Sequence, residues 1–599
     1  MADAPFRTIL VANRGEIAIR VMRSAKELGC ATVAVYSDAD RDALHVRYAD
    51  EAYHLGPAAP AQSYLNADKL LDVARRAGAD AIHPGYGFFA ENAAFARRVI
   101  AAGMTWIGPH PDAIDAMGDK IRSRQAMVAA GVPVVPGGTD PIADVAGAHA
   151  AARQYGFPLA LKASGGGGGK GLKIARSADE LESAFTTAGR EATAYFGNGT
   201  IYAERYLENP KHVELQVLAD KHGTVLHVGE RDCSLQRRHQ KLWEEAPARI
   251  SARVRDGLRA AGVKAAQAIG YDSVGTIECL VAGDAFYFLE MNTRIQVEHT
   301  VSEQISGIDL VREQILVAAG RPLSFAQSDI AFHGHSIEVR VNAEDPAQNF
   351  RPAPGTVERY REPGGFGVRV DSAAYPGFTI TPDYDSMIAK LIVTARDRDE
   401  ALARLARAID EYVVGGVPTT LPLLRALCDF GPVRDASYGT ATLEPFAASL
   451  GAAATDGAAA STAGAAGGAS AADGAVAQDQ EDTIQVEVND RLFRVRFVDL
   501  PAPRGGGANA AARSAPKKGG GSRKSTAAAG NDVISPMHGV VVEIPVAQGA
   551  AVNEGDVVAV IEAMKMMNEI RAHKAGTVAA VHVTAGATVE ARAALVSIA

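Results

Sequence analysis

The stretch Leu159-Ala-Leu-Lys162-Ala-Ser164-Gly-Gly-Gly-Gly-Gly169-Lys170-Gly171-Leu-Lys-Ile-Ala175 decides how the front of this chain folds. Two short apolar runs of strand character flank five consecutive glycines, and the first run reaches a lysine, Lys162. A phosphate-binding Walker loop, Gly-x-x-x-x-Gly-Lys-Ser/Thr, is the rival reading. It fails twice: Ser164 stands where the first glycine belongs, and Gly171 where a metal-binding hydroxyl belongs. A glycine run between two strands reads instead as a hairpin lid, whose bare backbone amides can close over phosphates. A plain surface turn is the alternative on this stretch alone.

The residues that follow weigh against that alternative. A strand, Ile201-Tyr-Ala203, leads into Glu204-Arg205-Tyr206-Leu207, and His212-Val-Glu-Leu-Gln216 comes next. Farther on are Arg231-Asp-Cys-Ser-Leu-Gln236-Arg-Arg-His239-Gln-Lys241, then Thr276-Ile-Glu278, then Phe288-Leu-Glu290-Met-Asn292-Thr-Arg294-Ile-Gln296-Val297-Glu298-His299. Glu278 and Glu290 stand in strand-like runs, where a carboxylate is costly unless paired or metal-bound. Magnesium takes hard oxygen ligands, and Asn292, two places after Glu290, faces the same side of its strand. Glu278, Glu290 and Asn292 are therefore the candidate metal ligands.

Toward the N-terminus, residues 7–36 read as strand, turn, helix and strand. Ile9-Leu-Val-Ala12 feeds Asn13-Arg14-Gly15, and Gly29 closes the helix before Ala31-Thr-Val-Ala-Val-Tyr36. Such a βαβ unit predicts a parallel sheet. Ala81-Ile-His83 then runs into a glycine-punctuated loop that reaches Glu91 and Asn92.

At the far end, Glu562-Ala-Met-Lys565-Met-Met567 sits between two copies of one pattern. Gly539-Val-Val-Val-Glu-Ile-Pro-Val-Ala-Gln-Gly549-Ala-Ala-Val552 aligns at constant offset with Gly576-Thr-Val-Ala-Ala-Val-His-Val-Thr-Ala-Gly586-Ala-Thr-Val589. Each copy alternates at strand period. Two such halves predict a flattened all-β sandwich with Lys565 on the hairpin that joins them, projecting into water.

Between the two ends, residues 451–478 are almost entirely Ala, Gly, Ser, Thr and Asp, and residues 501–530 carry glycine runs with scattered Lys and Arg. Both read as linkers. The second spans on the order of 30 Å as a coil and about 100 Å stretched. The alternating runs Thr483-Ile-Gln-Val-Glu-Val488 and Leu492-Phe-Arg-Val-Arg-Phe497 between them predict a hairpin too small to be stable alone.

At 599 residues the chain is too long for one core, and about three to five domains are expected. A net charge of −9 gives no reason to expect nucleic-acid binding, and no apolar run is long enough to span a bilayer. Four cysteines, Cys30, Cys233, Cys279 and Cys428, lie far apart, which favours a reducing compartment over a zinc site. A strand-like run begins at Thr8, almost at the start of the sequence, so no leader peptide is expected. A cytoplasmic protein is expected.

From about residue 6 to 450 the sequence resembles biotin carboxylase, an ATP-grasp enzyme. The likeness rests on Asn13-Arg-Gly-Glu-Ile17, His83-Pro-Gly-Tyr-Gly87, Gly118-Asp-Lys120, the glycine lid and Arg231-Asp-Cys-Ser234. Glu290-Met-Asn-Thr-Arg-Ile-Gln-Val-Glu-His299, Asn342-Ala-Glu-Asp-Pro346 and Tyr384-Asp-Ser-Met387 complete it. Ala563-Met-Lys-Met566 resembles the biotinyl domain of biotin-dependent carboxylases, in which biotin is joined to the lysine; lipoyl domains share the fold but usually place their lysine in an Asp-Lys-Ala context.

The resemblance implies an α/β multidomain protein. A pre-ATP-grasp βαβ domain would occupy residues 1–120, an ATP-grasp domain 121–325 and an α+β C-terminal carboxylase domain 326–450. A linker (451–480), a small docking hairpin (481–500), a second linker (501–531) and a lipoyl-like biotin carrier (532–599) would follow. It implies further that Lys120, Lys162, Gly168, Gly169, Glu204, Arg205, Tyr206, Leu207, His212, Gln236 and His239 line the ATP site. Lys241, Arg294, Gln296 and Val297 would hold bicarbonate, Glu298 would be the base, and Arg340 would sit beside the biotin ureido oxygen. ATP, magnesium or manganese, and biotin on Lys565 are the implied cofactors. ATP would convert bicarbonate to carboxyphosphate, which releases carbon dioxide to biotin.

No stretch remains for a carboxyltransferase. The expected partners are therefore a biotin protein ligase and a separate carboxyltransferase (β) subunit, within a homo- and hetero-oligomer. The products would be malonyl-CoA or methylmalonyl-CoA, with a longer acyl-CoA or pyruvate as the alternative acceptor. Four positions depart from the family's usual residues: Ala90 replaces a serine, Leu172 a methionine, Thr300 a proline and Ser302 a threonine. Thr300, nearest the chemistry, is expected to loosen the loop that carries Glu298.

Overall fold

The structure, a computed structural model, describes residues 4–138, 140–164, 171–238, 240–450, 483–488, 491–496, 531–536, 539–563, 566–589 and 592–599. They fall into two compact bodies, residues 1–454 with 532–599, and residues 455–531. In the second body the backbone of Thr483–Val488 pairs antiparallel with Arg491–Arg496, Val488 opposite Arg491, which is the hairpin that the alternation predicts. Among the described residues no helix is long and apolar enough to cross a membrane.

The strand Leu159–Ala163 pairs antiparallel with Leu172–Ala175, Lys162 opposite Leu172, and on its other edge with Ile201–Arg205. The described residues on either side of the glycines are thus two paired strands, whereas a Walker loop would lead into a helix. The lid itself, with Gly168 and Gly169, lies outside the described residues. The helices Val145–Tyr155 and Ala178–Phe196 contribute Ala148, Leu181 and Ala188 to a core shared with Leu159 and Leu161.

The expected βαβ unit opens the chain. Thr8–Val11 runs parallel to Ala31–Ser37 and is joined to it through the helix Gly15–Glu27. Five parallel strands result, in the order Glu51–Gly56, Ala31–Ser37, Thr8–Val11, Ala81–His83, Thr105–Trp106. Ile9 and Val11 enter one core, Leu10, Val33 and Val35 another, so both faces are covered as parallel sheets require.

An eight-stranded antiparallel sheet runs through the first body. Its order is Ala285–Asn292, Val274–Ala282, Lys211–Ala219, Val225–Arg237, Gln240–Ala246, His335–Asn342, Met387–Ala395, Val368–Ser372. Because Gln240–Ala246 pairs with His335–Asn342, the sheet runs across the domain boundary expected at residue 325. Val213, Leu215 and Val217 point to a hydrophobic core. By strand alternation His212, Glu214 and Gln216 point the other way, and that polar face floors the site.

The carrier is a sandwich of two four-stranded sheets. Its halves exchange strands: Gly539–Glu543 pairs with Thr588–Val589, and Ala551–Val552 with Gly576–Val581. The duplicated sequence thus becomes a pseudo-twofold fold around Val541, Val558, Ile561, Val578, Leu595 and Ile598. Gly539 and Gly576 occupy equivalent close approaches, where a Cβ would meet the Glu562 carbonyl at 2.5 Å and the Ala599 carbonyl at 2.3 Å. Lys565 lies outside the described residues.

Candidate functional site

The polar face of the central sheet opens on a cavity of about 1020 Å³. Of the residues assigned from sequence, Lys120, Lys162, Glu204, Arg205, Tyr206 and Leu207 line it together with His212, Gln236 and Lys241. Glu278, Glu290, Asn292, Arg294, Gln296, Val297, Glu298 and Arg340 line it as well. His239, Gly168, Gly169 and Lys565 lie outside the described residues.

Two lysines mark one end. Lys120 starts the helix Lys120–Ala129, whose N-cap Asp119 accepts the Arg122 N–H at 2.8 Å. Its Nζ lies 2.9 Å from Glu290. Burial works against the Lys120 charge, but Glu290 outweighs it and the pKa is raised, so the group stays an ammonium. Lys162 pairs with Glu204, which also takes Arg124 at 3.0 Å. Just beyond, Arg205 and Tyr206 donate their N–H groups to the carbonyls of Pro136 and Pro158, 2.8 Å each, which fixes the turn of chain after the strand.

Glu278 and Glu290 stand directly opposite each other on neighbouring strands, and the Asn292 side-chain amide donates to Glu278 at 2.9 Å. Among the described residues, Lys241, Asn292 and Gln296 donate to Glu278, His212 Nε2 lies 3.0 Å from it, and Lys120 pairs with Glu290. A hard oxygen set that already collects positive groups fits magnesium. His212, Glu214 and Glu278 also bring ligand atoms within 4.8 Å of one another, but Glu214 is taken by Arg231 and Lys241, 2.6 Å each.

The other end is a lattice of buried charge. Lys241 Nζ donates to Glu214 and Glu298 at 2.6 Å each and to Glu278 at 2.9 Å. Arg340 reaches Glu244 through Nε (2.7 Å) and Glu298 through Nη2 (2.9 Å). Burial would raise the Glu298 carboxyl, yet Lys241, Arg340 and Arg231 hold it well below the usual carboxylate range. Arg294 is aimed by Glu91 (3.0 Å) and by the Asn292 side-chain oxygen (2.8 Å). The Gln296 amide bridges Glu278 (2.9 Å) and Arg231 (2.8 Å), and the Val297 carbonyl accepts from Lys390 at 2.9 Å. This arrangement can hold a small anion between Lys241 and Arg294 with an ionised carboxylate beside it.

Five participants escaped the sequence reading: Glu91, Glu214, Glu244, Glu338 and Lys390. Glu214, Glu244, Glu338 and Lys390 each interrupt an apolar strand, which is the signal that could have found them. Glu91 sits in a loop and carries no such mark. The expectation for Thr300 is corrected. Its hydroxyl donates to the buried Glu338, and residue 300 lies in the first turn of the helix His299–Ser306, so it ties the Glu298 segment to the sheet. Ser302 accepts from Arg231 at 2.9 Å. From the carrier, Gly539, Val540 and Glu562 line the same cavity.

Residues 5–114 match the family model for the biotin carboxylase N-terminal domain, and residues 119–326 that for the ATP-binding domain of the carbamoyl-phosphate synthase L chain. Residues 338–445 match the biotin carboxylase C-terminal domain, and residues 531–598 the biotin-requiring enzyme domain. The chain is 50% identical to biotin carboxylase 1 of Bacillus subtilis, over 74% of this chain and 98% of that protein. It is 42% identical to the biotin-dependent acyl-coenzyme A carboxylase alpha3 subunit of Mycobacterium leprae, over 98% of each. Among solved structures, it resembles the biotin carboxylase domain dimer of Hydrogenobacter thermophilus 2-oxoglutarate carboxylase with MgADP, ADP and bicarbonate. There the TM-score is 0.71 and the identity 51%, covering 74% of this chain and 97% of that one.

Proposed function

The chain belongs to the biotin carboxylase family and carries a biotin-lipoyl domain behind the carboxylase, and on that premise we propose that it is the carboxylase-and-carrier subunit of an acyl-CoA carboxylase. ATP-dependent carboxylation of biotin follows from the family. The acyl-CoA acceptor is supported by one observation above all: likeness to the Mycobacterium leprae alpha3 subunit extends through both linkers and the carrier, over 98% of both chains. The carboxyltransferase would be a separate β subunit. The hairpin Thr483–Val488 with Arg491–Arg496 is its candidate docking edge by strand addition.

Lys120 and Lys162, with His239 and the lid, hold the phosphates of ATP. Lys241 and Arg294 hold bicarbonate, and Glu298 removes its proton. The oxygen so freed attacks the γ-phosphorus, giving carboxyphosphate and ADP. Carboxyphosphate then breaks into carbon dioxide and phosphate. Glu278, Glu290 and Asn292 would hold magnesium, which would neutralise charge on the phosphoryl group. Biotin on Lys565 would supply the ureido nitrogen that takes the carbon dioxide while its proton passes to the phosphate. Arg340, on the same polar face, would stand beside the ureido oxygen and counter negative charge there.

The test is the assembled complex with its carboxyltransferase, supplied with ATP and bicarbonate and offered acetyl-CoA, propionyl-CoA, a longer acyl-CoA, pyruvate and 2-oxoglutarate in turn. Carboxylation of an acyl-CoA is expected. Carboxylation of an oxoacid alone would overturn the acceptor.

A further inference from the structure

Glu244 and Glu338 face each other directly across the strands Gln240–Ala246 and His335–Asn342. Residues so paired bring their Cβ atoms to about 5 Å on one face of the sheet. Both are 0% exposed. One oxygen of each is engaged: Glu244 Oε1 accepts from Arg340, and Glu338 Oε2 accepts the Thr300 hydroxyl. The other two, Glu244 Oε2 and Glu338 Oε1, have no hydrogen-bond partner among the described residues. Two adjacent buried carboxylates cannot both ionise cheaply, and an unmet buried acceptor costs its full desolvation. A single proton between the orphan oxygens removes both penalties.

We propose that Glu244 and Glu338 hold one proton between them and so act as a positioning pair for Arg340 and, through it, for Glu298. The inference rests on the biotin carboxylase reading of this site. With that proton in place the pair carries one negative charge behind Arg340, balanced by the Glu298 charge in front of it. Loss of the proton would put a second charge behind Arg340 and draw its guanidinium away from Glu298.

The surroundings are consistent with a retained proton. Arg340 and Lys241 face Glu244, with Glu298 opposing them. Lys390 faces Glu338, but it is shared with the Val297 carbonyl (2.9 Å), Glu16 (3.4 Å) and Asp371 (3.8 Å). From the helix His299–Ser306, His299 turns to the Gln296 carbonyl at 2.7 Å, and Glu303 to Arg20 and Arg369. Arg398, on the far side of the sheet, is taken by Glu245. Burial pushes the Glu338 carboxyl well above its ordinary range and the Glu244 carboxyl to about 7.

The test uses the full biotinylated chain. Glu338→Gln places an amide N–H where the shared proton lies, whereas Glu338→Ala leaves Glu244 without a donor. Infrared difference spectra between wild type and Glu338→Gln at pH 7 are expected to show one carboxylic-acid carbonyl band lost in the variant. Bicarbonate-dependent ATP cleavage should stay within about threefold for Glu338→Gln and fall at least about tenfold for Glu338→Ala. The alkaline limb of the kcat/KM profile should move to higher pH in Glu338→Gln. An unchanged acid band, or a folded Glu338→Gln as impaired as Glu338→Ala, would overturn the proposal. Should Glu338→Gln fail to fold by circular dichroism, Glu244→Gln supports the same spectral test. A wild-type chain with no bicarbonate-dependent ATP cleavage would instead sink the biotin carboxylase reading, while the infrared band would still report on the proton.

Discussion

Glu298 Oε1 lies 2.6 Å from Lys241 Nζ. A carboxylate gripped in this way is a weak base, and Arg340 on its other oxygen weakens it further. On the proposed mechanism, basicity would return as bicarbonate enters and Lys241 turns to it, so that the anion itself would switch on the base that deprotonates it. Glu298→Gln keeps the shape but cannot take the proton. Turnover should fall by roughly two orders of magnitude or more, with nucleotide affinity intact by equilibrium binding. Loss of ATP binding in step with the rate would make Glu298 structural.

Removing Lys241 is a different injury. Lys241→Met leaves Glu214, Glu278 and Glu298 around a buried site without their shared cation. Breaking such a pair costs about 3–5 kcal/mol, and calorimetry should show a Tm lower by several degrees. The deficit should shrink as pH falls and the stranded carboxylates protonate. Lys241→Arg keeps the charge, and the fold should survive it with slow turnover, because a planar fork does not reproduce an ammonium.

How much of this was legible in the sequence depends on the span of each signal. Local patterns carried far. Glycines between two strands announced the Leu159–Ala175 hairpin, the repeated Gly549 and Gly586 patterns announced the two-sheet carrier, and carboxylates at Glu278 and Glu290 in apolar strands announced the site. Long-range relations left no local trace. Glu91 aims Arg294 from 203 positions away, and the joining of Gln240–Ala246 to His335–Asn342 into one sheet is set by packing. Thr300 was misjudged because a substitution for proline reads as lost rigidity, whereas its hydroxyl found a buried acceptor in Glu338.

Acid should attack the C-terminal carboxylase region through Glu245. Burial would raise this carboxyl, but His335 and Arg398 hold it at about 2, against an ordinary 4.5. A depressed folded pKa contributes stability that is present above the unfolded value and lost as pH falls from about 4.5 toward 2. The contribution is on the order of 3 kcal/mol. Urea unfolding of Glu245→Gln should show a destabilised protein at pH 7 whose deficit narrows across that window. A deficit independent of pH would contradict the assignment.

Gly539→Ala and Gly576→Ala should each unfold the carrier, because the new Cβ meets backbone oxygen at 2.5 and 2.3 Å. Avidin blotting after treatment with biotin protein ligase should be weak for both variants. Gly549→Ala meets nothing within 4 Å and should act only through its positive φ of 89°, a milder strain.

The most direct measurement is transfer of label from bicarbonate by the lone chain. The full-length protein, biotinylated by its ligase, is given labelled bicarbonate, ATP, magnesium and acetyl- or propionyl-CoA with no partner subunit. Label should appear on the chain itself, in acid-labile form. It should vanish in Lys565→Arg, whose guanidinium cannot form the amide to biotin, and no labelled CoA product should be made. Acid-stable label in malonyl- or methylmalonyl-CoA from the lone chain, or label retained in Lys565→Arg, would contradict the account.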